Sequence, residues 1–218
     1  MIVSQADHGP LLCAPDEKAA LEARNGVEQL DYITELVENG ARELRESHVL
    51  GLQDIAIRDV YPCGGKYRTA LQHVVIANSA HTLPEAAFVP SLVRDAVDWI
   101  NLGRGQRSAL ERAAYALWRF NWIHPFAGGN GRTSRAVAYL IVCMDAGRML
   151  PGVPSMPSLI YDHRDEYLVA LRAADASLRG DDSEDAPARE PDTIEITTFL
   201  KRMLTRQLAS VIDRLSSP

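Results

Sequence analysis

Apolar residues recur at helical intervals along most of the chain, and polar breaks divide them into successive amphipathic helices. Asp16 is a candidate cap for a first helix starting near Glu17, with Leu21, Val27, Leu30, Ile33 and Val37 as its apolar stripe, Asn25-Gly26 as a kink or division, and Asn39-Gly40 as its stop. Arg42 to Ile57 predicts a second helix facing inward through Leu44, Val49, Leu50, Leu52 and Ile55. Val74-Val75-Ile76 breaks the rhythm: three β-branched residues before the turn-rich Asn78 to Pro84 predict a short strand and turn. Helical spacing returns after Pro90 (Leu92, Val93, Val97, Ile100), from Ser108 to Trp122, from Arg132 to Met144, and from Arg164 to Ala174. Leu150 to Pro157, rich in Pro and Gly, predicts an irregular link, and Arg179 to Asp192 is a polar, acidic linker. Thr193 to Leu215 predicts an amphipathic last helix (Ile196, Phe199, Leu200, Met203, Leu208, Val211, Ile212, Leu215) that packs back on the core, although a homodimer contact would leave the same pattern.

Composition narrows the class. The 218 residues are 46% hydrophobic, enough for one main domain with a buried core. A net charge of −6 without basic runs argues against nucleic acid or an anionic membrane as partner. Cys13, Cys63 and Cys143 are odd in number and far apart, so neither a disulfide framework nor a zinc site is expected, and Cys143 reads as core. With no basic segment leading into an apolar run at the start, and no apolar stretch long enough to span a bilayer, the expectation is a cytoplasmic protein. Trp99, Trp118 and Trp122 fall at apolar helical positions and read as packing residues.

Candidate chemistry concentrates between two helices, in His124-Pro-Phe-Ala-Gly-Gly-Asn-Gly-Arg-Thr-Ser-Arg135. Successive N–H groups of Gly129, Asn130 and Gly131 can converge on an oxyanion, and the following helix turns its positive end toward it. Arg132 and Arg135 lie three apart on the first turn of that helix and can hold more of a polyphosphate. His124 carries the side chain whose ordinary pKa, about 6.5, suits proton abstraction near neutrality. Together these residues read as phosphoryl-type transfer, with a hydroxyl activated by His124 attacking phosphorus held by the loop.

This stretch resembles the Fic-family signature His-Pro-Phe-x-(Asp/Glu)-Gly-Asn-Gly-Arg-x-x-Arg at all fixed positions but one. The resemblance, over roughly Arg42 to Ala176, implies an all-α fold with a small β-hairpin flap, and a transferase moving the nucleoside monophosphate of ATP or another triphosphate onto a protein Ser, Thr or Tyr hydroxyl. It implies His124 as the base and Phe126 as the anchor of the loop. Gly129, Asn130, Gly131 and Arg132 would bind the α- and β-phosphates, and Arg135 the γ-phosphate. Gly65-Lys66-Tyr67-Arg68 resembles the quartet ahead of the flap. The flap itself, about Gln72 to Pro90, would take a target protein as an added strand through Val74, Val75 and Ile76. His81, at its tip, reads as a surface turn histidine or a substrate contact. Tyr167 and Leu171 resemble the helix lining the base pocket, where an asparagine often stands at the position of Asp175.

Two features qualify the resemblance. Gly128 replaces the acid that holds Mg²⁺, so a hard dication would rely on the nucleotide, water or another residue. A slow or metal-independent transferase, a transferase with another phosphate donor and a catalytically silent nucleotide-binding module all remain open. Thr34-Glu35-Leu36-Val37-Glu38-Asn39 matches the (Ser/Thr)-x-x-x-Glu-(Gly/Asn) pattern of an inhibitory helix, whose glutamate would pair with Arg135; in some relatives it also assists removal of the modification. The expected organisation is an N-terminal helical segment (1–41) with Thr34 and Glu38 as inhibitory residues, a Fic core (42–178), a linker (179–192) and a C-terminal helix (193–218).

Overall fold

The predicted helical rhythm becomes eight α-helices in a computed structural model that describes residues 4–6, 9–72, 74–76, 81–178 and 190–216. These are α1 (Lys18–Glu38), α2 (Glu46–Ile57), α3 (Val89–Leu102), α4 (Ala109–Ile123), α5 (Asn130–Ala146), α6 (Met156–Asp162), α7 (Arg164–Ser177) and α8 (Ile194–Ser216); two short strands are β1 (Ser4–Ala6) and β2 (Val74–Ile76). No helix among the described residues is long and apolar enough to cross a membrane.

Helix α5 is the axis. It is buried without a break from Ala136 to Met144, which no amphipathic surface helix could be. Helix α4 packs along it most extensively, and α1, α2 and α6 cover its other sides. Gly147 ends α5 in a left-handed conformation (φ 69°), the ordinary use of glycine after a last helical turn. Helix α4 starts at a cap the hydrophobic pattern does not reveal: Ser108 and Glu111 bond reciprocally to each other's backbone N–H.

Several expectations change at element ends. Glu17, not Asp16, precedes α1, and its carboxylate accepts from the Ala14 N–H. Asn25-Gly26 neither kinks nor divides α1, because Asn25 is buried and its side-chain amide donates to the Arg58 carbonyl just beyond α2. Helix α2 begins at Glu46 rather than Arg42, since Arg45 is extended. The irregular link contains the short helix α6, whose first turn accommodates Pro157.

The fold is all-α as expected, but the flap differs. Strand β2 pairs antiparallel with β1, Ser4 opposite Ile76, in a two-stranded sheet drawn from the start of the chain, and no second strand of the expected hairpin occurs among the described residues. The returning limb is held on the end of α4 instead: Nη2 of Arg68 donates to the Pro84 carbonyl, and Nε2 of His81 lies 2.8 Å from the Trp122 carbonyl. Residues 73 and 77–80 of the expected flap, and 179–189 of the linker, lie outside the described residues. The linker's end is pinned, with Glu190 accepting from Trp99 Nε1 and pairing with Arg107.

The N-terminal segment is part of the core, since Ile33 and Val37 of α1 belong to the same apolar cluster as α4 and α5. Helix α8 does pack back, burying Ile196, Phe199, Leu200 and Met203. Gln207 is buried too, with its side chain bonded to the Tyr139 hydroxyl and the Met156 N–H, but the last turns do not pack back: Ile212 and Leu215, expected on the buried face, are 67% and 83% exposed.

Candidate functional site

The joint between α4 and α5 is shaped by backbone conformations that few sequences tolerate. His124 caps α4 in the left-handed region (φ 48°, ψ 61°), unusual for a residue with a side chain. Gly129 turns the chain into α5 at φ 77°, and a Cβ there would lie 2.8 Å from Ile57 Cγ2, so only glycine fits. Between them, Asn130 closes the loop on itself: its Oδ1 accepts from the Phe126 N–H at 3.0 Å and its Nδ2 donates to the Phe126 carbonyl at 2.7 Å. Phe126 is buried below, stacked on Tyr67 at 5.7 Å. The side chain of Asn130 is thus committed to the loop, leaving its backbone N–H for any anion.

Two residues hold this loop: Gln53, which the pattern of the chain does not single out, and Arg68, the last of the quartet ahead of the flap. Buried Gln53 of α2 donates to the Gly128 carbonyl at 3.0 Å and accepts from the Gly65 N–H at 2.6 Å. Arg68, also buried, donates through Nε to the His124 carbonyl (2.8 Å) and through Nη2 to the carbonyls of Pro84 (2.6 Å) and Ile123 (3.3 Å), while its own N–H bonds to the Pro125 carbonyl (2.9 Å). Burial lowers the Arg68 pKa, a cost accepted in return for clamping the backbone on both sides of the histidine.

Above the loop lies a cavity of about 1010 Å³. His124, Gly129, Asn130, Gly131, Arg132, Arg135, Tyr167 and His81 all line it, so the predicted base, phosphate loop, arginines and pocket tyrosine meet in one place. The first intrahelical bond of α5 runs from the Thr133 N–H to the Gly129 carbonyl, so the amides of Asn130, Gly131 and Arg132 precede the ladder at its positive end. Burial lowers the Arg132 pKa, with Glu22 pulling the other way, and pushes Arg135 down to about 10. Nη1 of Arg132 is buried with no hydrogen-bond partner among the described residues, a donor that an anion in the cavity would satisfy. Arg135 lies over the Tyr161 ring at 5.4 Å, and its Nη1 is 3.3 Å from where a Cβ on Gly131 would sit.

The expected inhibitory residues are not at the site. Glu38 is exposed at the far end of α1, and Thr34 turns its hydroxyl back to the Leu30 carbonyl; neither lines the cavity. The carboxylate that reaches Arg132, the first arginine rather than the expected Arg135, is Glu22, sixteen positions earlier and roughly 24 Å back along the same helix. Its Oε1 lies 3.1 Å from Arg132 Nη2. Lys18, four residues before it, bonds to the Tyr61 hydroxyl at 2.9 Å and fastens that turn of α1 to the core. Glu22 escapes the motif because Lys18 stands where the pattern has Ser or Thr, and Ala23 where it has Gly or Asn.

His81 is not a loose turn residue: its ring lies 5.2 Å from that of Trp122 and lines the cavity. Trp118 and Trp122 are packing residues that also form cavity wall. Tyr167 is buried, its hydroxyl accepting from Asn121 Nδ2 at 2.8 Å, and burial pushes its pKa up to about 12. Val74 is half-buried in β2 and is not among the cavity residues; the side chains of Val75 and Ile76 lie outside the described residues. As for Mg²⁺, the loop does not suit a hard dication: Gly128 brings no carboxylate, and its carbonyl is engaged by Gln53. No cluster of three His, Cys, Asp or Glu that could hold a metal occurs among the described residues.

Residues 43–142 match the Fic/DOC family model. Curated relatives include the protein adenylyltransferase fic-1 of Caenorhabditis briggsae, 31% identical over 138 residues (60% of this chain, 25% of the relative), and that of Caenorhabditis elegans, 34% identical over 115 residues (50% and 20%). The chain therefore spans a quarter or less of these relatives. Among solved structures, a Fic domain containing signaling protein from Bacteroides thetaiotaomicron superposes with a TM-score of 0.70 at 24% identity, over 90% of this chain and 73% of that one. A Fic family protein from Desulfovibrio desulfuricans gives 0.63 at 20% identity, over 94% and 61%. At these identities the structural likeness speaks for the fold.

Proposed function

From the match of residues 43–142 to the Fic/DOC family model, we propose that the chain is a protein nucleotidyltransferase, moving the nucleoside monophosphate of ATP or another triphosphate onto a Ser, Thr or Tyr hydroxyl of a target protein. The observation that carries this reading is the shared cavity, where His124 stands beside the amides that open α5 and beside Arg132, with its buried unmatched donor. The polyphosphate lies on the Gly129 to Arg132 amides, and Arg132 and Arg135 draw its charge toward α5. His124 takes the proton of the attacking hydroxyl, the new bond forms to the α-phosphorus, and pyrophosphate leaves with its charge held by the same donors. The left-handed backbone at His124, fixed by Arg68, sets the direction from which the ring meets the hydroxyl.

The reading includes restraint by Glu22. Its carboxylate occupies an arginine donor that phosphate would use, so nucleotide and Glu22 compete for Arg132. Gly128 favours a second reading, a nucleotide-binding module without catalysis.

Intact mass separates the two. Wild type, Glu22→Gly and His124→Ala are incubated with each of the four nucleoside triphosphates, with Mg²⁺, with Mn²⁺ and with chelator. A gain of one nucleoside monophosphate, larger in Glu22→Gly and absent in His124→Ala, is expected. Nucleotide binding without mass gain on the protein or on added lysate proteins would replace the transferase with the silent module.

A further inference from the structure

Helix α7 carries a graded stripe along the cavity. Arg164, Leu168, Leu171 and Asp175 recur at three- and four-residue spacing, so they share one face, and all four line the cavity. Along it the order is cation, two apolar side chains, carboxylate, with Arg172 of the same helix also in the wall near Asp175. The Arg164 end is the phosphate end, since Asn121 Nδ2 bonds both to the Tyr167 hydroxyl and to Ser134 beside Arg135, at the start of α5. From Tyr167 to Asp175 the helix advances roughly 12 Å, the scale that separates the phosphates of a nucleotide from the outer edge of its base. Asp175 is therefore placed where a base edge would end, with Leu168 and Leu171 along the ring.

The carboxylate is held in position. Trp118 of α4, buried, donates its indole N–H to Asp175 Oδ1 at 2.8 Å. An ionised carboxylate only accepts, with about four lone-pair sites, so one indole bond leaves capacity on both oxygens. The bases differ in what they offer such a group. Guanine presents two adjacent donors, N1–H and the N2 amine, which match a carboxylate fork. Adenine sets its N6 amine beside the N1 lone pair, and cytosine its N4 amine beside N3, so each makes one bond and turns a lone pair against the second oxygen. Uracil offers a single N–H between two carbonyls.

We propose that Asp175 makes this end of the cavity a guanine-reading subsite, so that the donor is a guanosine rather than an adenosine nucleotide. This rests on the nucleotidyltransferase reading of the same cavity. A bidentate pair of this kind discriminates by roughly ten- to a hundredfold.

The test is calorimetric titration of wild type, Glu22→Gly and Asp175→Asn with GDP, ADP and IDP. Inosine lacks the N2 amine of guanine, so it removes one donor without altering the protein. Expected is GDP binding about ten- to a hundredfold tighter than ADP, IDP falling between them, and Asp175→Asn collapsing the GDP preference through weaker GDP binding. ADP bound as tightly as GDP in wild type, IDP equal to GDP, or a preference unchanged in Asp175→Asn would overturn the base assignment alone. Absence of binding by every diphosphate, in Glu22→Gly as well, would overturn the nucleotide site and this inference with it.

Discussion

Replacing Arg68 by Met tests whether the histidine is positioned from behind. The change removes three donations from a charged side chain, to the carbonyls of His124, Ile123 and Pro84. Each such bond is worth about 1.5–3 kcal/mol. Methionine also escapes the cost of burying a guanidinium, a cost visible in the lowered Arg68 pKa, so the net loss is nearer 2–4 kcal/mol than the full sum. For a chain of this size that is a fall in Tm of about 4–16 °C. The larger consequence concerns His124, whose left-handed backbone stores about 1–3 kcal/mol and persists only while its surroundings enforce it. Released, the ring leaves its attacking position, and transfer falls by about 5- to 150-fold. Nucleotide affinity stays within about twofold, because the α5 amides and Arg132 do not bond to Arg68. The assay pairs thermal melts with single-turnover transfer and calorimetric binding of nucleoside diphosphate. Arg68→Lys, which keeps the charge but not the fork, recovers part of the Tm and little of the rate. An unchanged rate, or equal losses in rate and in nucleotide affinity, would refute positioning of His124 by Arg68.

Three further outcomes are expected. Gly129→Ala places a Cβ against Ile57 at a backbone angle of 77°, so it destabilises by about 1–3 kcal/mol in chemical denaturation and weakens diphosphate binding at least tenfold; wild-type affinity would show that the loop amides do not hold phosphate. Burial pushes the Cys143 thiol up to about 11, so a thiol-disulfide reagent at pH 8 labels Cys13 in the native protein, half-buried Cys63, whose pKa burial also raises, more slowly, and Cys143 only after unfolding. The same shift sets a sign for pH: above about 9 the unfolded chain ionises this thiol while the folded one does not, so stability declines from about pH 9 to 11, and Cys143→Ala flattens that slope.

Much of the fold was legible because its helices are amphipathic, and the loop because glycines, a histidine and arginines crowd into one short stretch. Positions 124–135 need no tertiary information to be noticed. What escaped depended on contacts between distant segments. Gln53 sits within the inward face of α2, and nothing local says that its amide bridges Gly65 and Gly128. Arg68 belongs to a recognisable quartet, yet its role is set by carbonyls near position 124. The inhibitory motif misled for a related reason: Thr34 and Glu38 satisfy a spelling, whereas the packing of α1 on α5 decides which carboxylate meets Arg132, and that carboxylate is Glu22. Asn25 looked like a helix breaker because its partner, the Arg58 carbonyl, lies on another element. The strand partner of β2 was equally hidden, since pairing across some seventy residues leaves no mark on either segment.

That pairing carries a kinetic consequence. A strand has two edges, and one edge of β2 is taken by β1, which is tethered through residues 7–11 to Leu12, itself bonded to the Val60 carbonyl. A short tether holds its strand at an effective concentration of the order of millimolar. An incoming peptide that uses the same edge must outbid an internal competitor that never diffuses away, whereas one that uses the opposite edge meets none among the described residues. Occupancy by a weak peptide would then depend on how often β1 lifts, a rate belonging to the first few residues of the chain rather than to the peptide.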